Sequence, residues 1–180
     1  MEQSIIIAGF GGQGVLSAGI ILANSFMLND KQVTWYPCYG AEMRGGAVNC
    51  EIVVSDTEVT SVHKKETDIL IALNDLSFNK FLSKVKSGGI VIANATLIEK
   101  KYPREDVKYI FENISDTARE LGSIKAANMV SLGILSNICN FTDIKSIKQA
   151  IDMVLPQKIR ELNYKVLDAG IKLSESCRKE

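Results

Sequence analysis

The chain opens on an unbroken apolar run, Ser4-Ile5-Ile6-Ile7-Ala8. A run of this length without alternation predicts a strand covered on both faces, as in a parallel sheet. A glycine cluster follows at once. Val15, Leu16, Gly19, Ile20, Ala23 and Met27 then recur at helical spacing, up to Asn29-Asp30. Residues 33–36 read as a second strand that stops at Pro37, since proline cannot donate to a ladder. This β-turn-α-β opening predicts the start of a doubly wound sheet.

Further along, residues 48–55 alternate loosely as a strand, and residues 69–73 form another buried one. A helix through Phe78, Phe81, Leu82 and Val85 is expected to end at Gly88-Gly89 in a left-handed cap. Residues 90–93 and 107–111 are strands. From Ser115 the pattern turns helical: a short helix over 115–121, then one over 126–138 that is apolar nearly all round and so should be buried. Ile144, Ile147, Ile151 and Val154 form a one-sided stripe on the next helix. The last carries Ile159, Leu162, Val166 and Leu173 on one face and ends in the polar tail Arg178-Lys179-Glu180. No linker, repeat or low-complexity stretch interrupts residues 1–180, so one domain is expected. The predicted class is α/β: a doubly wound, mostly parallel, Rossmann-like sheet with a helical C-terminal third.

Composition narrows the function. Of 180 residues 46% are apolar, a globular content, and 21 Lys and Arg balance 21 Asp and Glu. With no basic excess to neutralise phosphates along a duplex, nucleic acid is not an expected partner. No apolar run is long enough for a membrane span, and no basic leader precedes the first strand, so a cytoplasmic protein is expected. Cys38, Cys50, Cys139 and Cys177 contain no Cys-x-x-Cys pair, and His63 is the lone histidine. Neither zinc nor iron–sulfur spacing can be drawn from them, and the cysteines read as free thiols. His63 lies in a charged turn, more in keeping with solvation than catalysis.

Two clusters carry the candidate chemistry. Gly9, Gly11 and Gly14, with Gly12 and Gln13 between, satisfy the G-x-G-x-x-G spacing between strand and helix. Such glycines permit a tight turn and let the first helical amides approach an anion. A dinucleotide site also needs a carboxylate at the end of the second strand, but that strand ends Tyr36-Pro37-Cys38, with no acid before Glu42. A P-loop needs Lys and then Ser or Thr after Gly14, where Val15-Leu16 stand. Close packing of helix on strand and binding of a phosphate-bearing ligand both remain open. The second cluster, Tyr39, Gly40, Glu42, Arg44, Gly45 and Gly46, places an aromatic ring and an Arg in a loop between strands. That composition suits recognition better than spacing.

Together these motifs resemble one family. Gly9-x-Gly11-Gly12-Gln13-Gly14-Val15, then Tyr39-Gly40-x-Glu42-x-Arg44-Gly45-Gly46 and Asn49-Cys50, look like the gamma subunits of pyruvate, 2-oxoisovalerate and 2-oxoglutarate:ferredoxin oxidoreductases. Asp68, Asn74, Gly88-Gly89, Ala127-Asn128-Met129, Leu132-Gly133, Glu161-Leu162-Asn163 and Gly170 follow in order, so the similarity runs from about residue 4 to about 173. After Val59 the chain departs, reading Thr60-Ser61-Val62-His63-Lys64-Lys65 where many relatives have a proline turn.

The resemblance implies oxidative cleavage of a 2-oxoacid to an acyl-coenzyme A and carbon dioxide, with electrons passed to ferredoxin. It assigns thiamine diphosphate and Mg to alpha and beta subunits, and Fe–S clusters to partners that often include a ferredoxin-like delta subunit. This chain would then hold no catalytic residue, metal or cofactor of its own. It would serve as an assembly domain that helps admit coenzyme A, with the glycine loop and Arg44 meeting phosphates or partner carboxylates. The isolated chain is expected to self-associate through its docking face. The alternative is a stand-alone Rossmann-like nucleotide-binding protein or an NAD(P)- or FAD-dependent oxidoreductase. Residues 35–37 and 41–43 lean towards the 2-oxoglutarate type by resemblance.

Overall fold

The computed structural model describes residues 1–39 and 47–176. Gly40, Glu42, Arg44, Gly45 and Gly46 lie outside the described residues, as do the side chain of Tyr39 and the tail with Cys177.

Six strands form a mixed sheet: β1 (Glu2–Phe10), β2 (Gln32–Tyr39), β3 (Ala47–Ser55), β4 (Thr67–Ala72), β5 (Val85–Asn94) and β6 (Lys108–Glu112). Their order is β2-β3-β1-β4-β5-β6. β1, β4, β5 and β6 are successive parallel neighbours. β3 lies antiparallel between β1 and β2. The α/β class and largely parallel sheet therefore stand, but the opening is not a simple β-α-β unit, because β2 is separated from β1 by β3. Burial explains the insertion: residues 48–55 are buried on both faces, as an interior strand requires, whereas β2 carries Pro37. Since β2 is the sheet edge, Pro37 is tolerated there. The strand runs through it to Tyr39, not stopping as the sequence suggested.

The continuous apolar run of β1 serves two cores. Ile5 and Ile7 join Ile69, Ile71 and Ile92 on one face; Ile6 and Ala8 join Leu70 and Val91 on the other. The first face is covered by α1 (Val15–Met27), α3 (Ile114–Glu120), α4 (Ala127–Ser136), α5 (Ile144–Val154) and α6 (Gln157–Ser176). The second is covered by α2 (Asp75–Phe81) through Phe78 and Phe81. Each fully buried Ile or Phe contributes roughly 1.5–3 kcal/mol.

Residues 127–135 of α4 are all buried, matching their all-round apolar pattern. α4 packs on α6 backbone to backbone: a Cβ on Gly133 would land on the Leu167 carbonyl and 3.0 Å from Gly170 Cα. The α5 stripe is buried as expected, with Ile147 and Ile151 fully inside and Ile144 and Val154 at the margin.

The expected cap at Gly88-Gly89 is not one. α2 stops at Phe81, a 3-10 turn covers Leu82–Lys84, and β5 begins at Val85. The register passes from Thr67↔Val85 to Ile69↔Ile90, so Asp68 alone faces four residues of β5. Gly88, at φ 78°, absorbs that bulge. The helical periodicity runs past the true end of α2 because Leu82 and Val85 are buried for a different reason, at the foot of the α2 core.

Candidate functional site

At the carboxyl end of β1 the chain turns through residues 11–14 into α1, with Gln13 N donating to the Phe10 carbonyl at 3.1 Å. Gly14 is the residue before α1 and adopts φ 73°, which a side chain rarely tolerates. A Cβ there would also sit 2.5 Å from Asn128 Nδ2. Asn128, at the start of α4, donates to the Gly14 carbonyl at 3.0 Å, so the loop and α4 are tied together across the fold.

Gln13 turns inward. Its Oε1 accepts from Phe10 N at 2.6 Å and Asn74 Nδ2 at 3.0 Å, and its Nε2 donates to the Leu73 carbonyl at 3.3 Å. Asn74 in turn caps α2 by accepting from Ser77 N at 2.9 Å. Gly9 is required by this brace, since a Cβ on it would lie 2.7 Å from Gln13 Oε1. The side chain of Gln13 is thus committed to the protein, and what residues 11–14 offer a ligand is backbone. α1 has no acidic residue in its first turn and no side-chain cap, leaving its amino end electrostatically suited to an anion.

Three concavities meet at the loop. One of about 340 Å³ is lined by Gly11, Gly12, Gly14, Val15 and Ser17. A second, about 240 Å³, lies between Gly14, Ser17, Ser123, Lys125 and the α6 residues Ile159 and Leu162. The third, about 140 Å³, is walled by Leu97, Ile124 and Ala127 beside Gly12, with Asn94 and Ser115 also lining it. Asn94 and Ser115 are satisfied: Asn94 Nδ2 donates to Ser115 Oγ at 2.8 Å and the Leu73 carbonyl at 3.1 Å, and Ser115 N donates to Asn94 Oδ1 at 3.1 Å. Among the described residues no Asp or Glu lines any of the three.

The inserted strand bears on the dinucleotide alternative. The neighbour of β1 on the α1 side of the sheet order is β3, which runs antiparallel and pairs Ala47 with Phe10 at the loop. It brings its amino end, not a carboxyl end with an acid, to the place where a ribose would need one. His63 is also less free than its turn suggested. Its Nδ1 lies 2.9 Å from Glu51 Oε2, and its ring meets Tyr36 edge-on at 4.3 Å. Lys84 approaches the same carboxylate at 3.6 Å. Burial pushes the Cys50 thiol up to about 12 and that of Cys139 to about 11. Burial, with the Glu51 charge, also raises that of Cys38. None of the three is an activated nucleophile. Among the described residues no group of three or more His, Cys, Asp or Glu is placed to hold a metal ion, and no helix is long and apolar enough to cross a membrane.

Nothing in the sequence marks Asn94 or Lys125 as site residues, and Ser115 stands out there only as a helix start. Asn94 could have been noticed as an amide ending a parallel strand; Lys125 carries no such signal, being one lysine in a short turn.

Fold and site together define an α/β domain with a braced glycine turn at the carboxyl edge of its parallel strands. The chain belongs to the pyruvate ferredoxin/flavodoxin oxidoreductase family, whose model matches residues 4–173. It is 36% identical to the ketoisovalerate oxidoreductase subunit VorA of Methanothermobacter thermautotrophicus over 94% of this chain, and spans 36% of that protein's length. A keto/oxoacid ferredoxin oxidoreductase gamma subunit from Geobacter sulfurreducens superposes with a TM-score of 0.87 at 29% identity, covering 98% of both chains. The 2-oxoglutarate:ferredoxin oxidoreductase of Magnetococcus marinus, solved with 2-oxoglutarate, coenzyme A and succinyl-CoA, superposes with a TM-score of 0.88 over 97% of this chain and 31% of that one. At 23% identity that likeness is one of fold.

Proposed function

We propose that this chain works as a gamma-type subunit, one domain over residues 1–180, of a cytoplasmic 2-oxoacid:ferredoxin oxidoreductase that converts a 2-oxoacid to an acyl-coenzyme A and carbon dioxide. In this reading alpha and beta partners carry thiamine diphosphate and Mg, Fe–S clusters sit on partners that can include a delta subunit, and the chain supplies the coenzyme A side of the assembly. The observation that carries the reading is the convergence on the glycine loop of three concavities that, among the described residues, carry no Asp or Glu. A phosphate-rich, elongated co-substrate suits such a surface, whereas a dinucleotide would in addition want a carboxylate for its ribose.

The proposed contacts are the backbone of Gly9, Gly11, Gly12, Gln13 and Gly14, together with Tyr39, Gly40, Glu42, Arg44, Gly45 and Gly46 of the segment that links β2 to β3 in the chain. Arg44 would pair with a phosphate or a partner carboxylate.

The test is co-expression of this chain, tagged, with candidate alpha and beta subunits. Retrieval of a thiamine-containing complex that reduces a viologen dye only with both a 2-oxoacid and coenzyme A supports the reading. A chain that ignores those partners and gains thermal stability from NAD would replace it with the Rossmann-like alternative. In the complex, Arg44→Ala should weaken coenzyme A binding or assembly; neither changing would remove Arg44 from the site.

A further inference from the structure

Resting on the coenzyme A reading, we infer that Lys125 is the cation that neutralises a phosphate of the acyl carrier, a role that nothing in its sequence context suggests. Lys125 lies in the Ile124–Ala126 turn just before α4 and lines two of the three concavities, the 240 Å³ one and the 140 Å³ one. Those two differ in kind. The smaller is walled by Leu97, Ile124 and Ala127, and its amide and hydroxyl groups on Asn94 and Ser115 are spent on each other and on the Leu73 carbonyl. Apart from Lys125, its polar side chains are committed to the protein, so it suits an apolar group or the face of a ring. The larger adds Ser17 and Ser123 to Lys125 beside Gly14. A charged group is therefore directed to the Gly14 side and an uncharged one to the Leu97 side, with Lys125 at the junction.

Charge supports the same assignment. Lys125 is exposed and makes no ion pair among the described residues, whereas Lys86, Lys101 and Lys148 each hold a carboxylate at 2.8, 2.9 and 2.8 Å. Among the described residues no Asp or Glu lines either concavity to compensate it. An unpaired ammonium at an acid-free opening favours an anionic ligand, through an interaction that salt screens.

The experiment uses the assembled complex with Lys125→Gln and Lys125→Arg, following viologen reduction at saturating 2-oxoacid. Lys125→Gln should raise the KM for coenzyme A about tenfold, the worth of one charge-assisted contact, with kcat unchanged. Lys125→Arg should recover most of the loss, and the difference should shrink as salt rises. Repeating the comparison with 3′-dephospho-coenzyme A locates the phosphate. A penalty that vanishes assigns the 3′-phosphate, and one that persists assigns the diphosphate. An unchanged KM overturns the role. So does a complex that Lys125→Gln no longer retains on the tagged chain, because Lys125 would then be pairing with a partner's carboxylate. If the wild-type complex itself forms but turns over without coenzyme A, the parent reading fails and takes this ligand with it.

Discussion

Replacing Gly133 by Ala tests how α4 is held, and with it the loop that α4 steadies. The added methyl would fall on the Leu167 carbonyl and within 3.0 Å of Gly170 Cα. Both obstacles are backbone, so no rotamer change can clear them; α4 and α6 must separate. Overpacking of a core by one carbon costs roughly 1–3 kcal/mol, and a clash with backbone on a helix buried throughout belongs at the top of that range. Alanine returns about 1 kcal/mol of helix propensity relative to glycine. The net expectation is about 2 kcal/mol of destabilisation, a fall in Tm of about 4–8 °C for a domain of this size. Thermal unfolding followed by circular dichroism measures it, with Lys172→Ala on the exposed face of α6 expected to stay within about 0.5 kcal/mol. A Gly133→Ala protein as stable as wild type, or more so, would refute the backbone-to-backbone packing. Because Asn128 at the head of α4 bonds the Gly14 carbonyl, the same variant should also bind coenzyme A more weakly in the complex.

Three further outcomes are expected. Gln13→Ala strands the Phe10 amide and the Asn74 side chain that now donate to it, and should cost about 2–3 kcal/mol in chemical denaturation; a loss under about 0.5 kcal/mol would mean the brace does not matter. Burial pushes the Asp68 carboxyl up, but Lys86 and the amide and hydroxyl of Ser4 outweigh it and hold the group below the ordinary carboxylate range. A depressed folded value gives stability that is full above about pH 4 and is lost as pH falls through it. The Tm gap between wild type and Asp68→Asn should therefore narrow between about pH 5 and pH 2, and a constant gap would contradict the assignment. With thiols raised to about 12 and about 11, Cys50 and Cys139 should resist alkylation at pH 8 until the protein unfolds; modification of either in the folded chain, read by mass spectrometry, would show that these sites open.

Much of the site was legible because its cues are local. A glycine turn between an apolar strand and an amphipathic helix can be read from spacing, and so could the missing acid and the P-loop mismatch. Asn74 and Asn128 stand in the sequence only as matches to the family; in the fold the first caps α2 and the second ties α4 to the glycine turn. The inward turn of Gln13 was hidden, since its partners Leu73 and Asn74 lie some sixty residues on. So was the place of Lys125, since the two hollows it lines are built from residues far apart in the chain.

By itself the sequence determined the order of most strands and helices, the braced turn's glycines, and the family, but not where α2 ends and β5 begins. Periodicity, proline and glycine act over a few residues and survive any tertiary arrangement. Only the tertiary structure decided that β3 would slide between β1 and β2, that Gly88 would absorb a bulge in β5, and that α4 would meet α6 at two glycines. Each of those depends on which distant surfaces bury each other, as Ile6 does beside Glu51 in the β1–β3 ladder, and no local pattern encodes that choice.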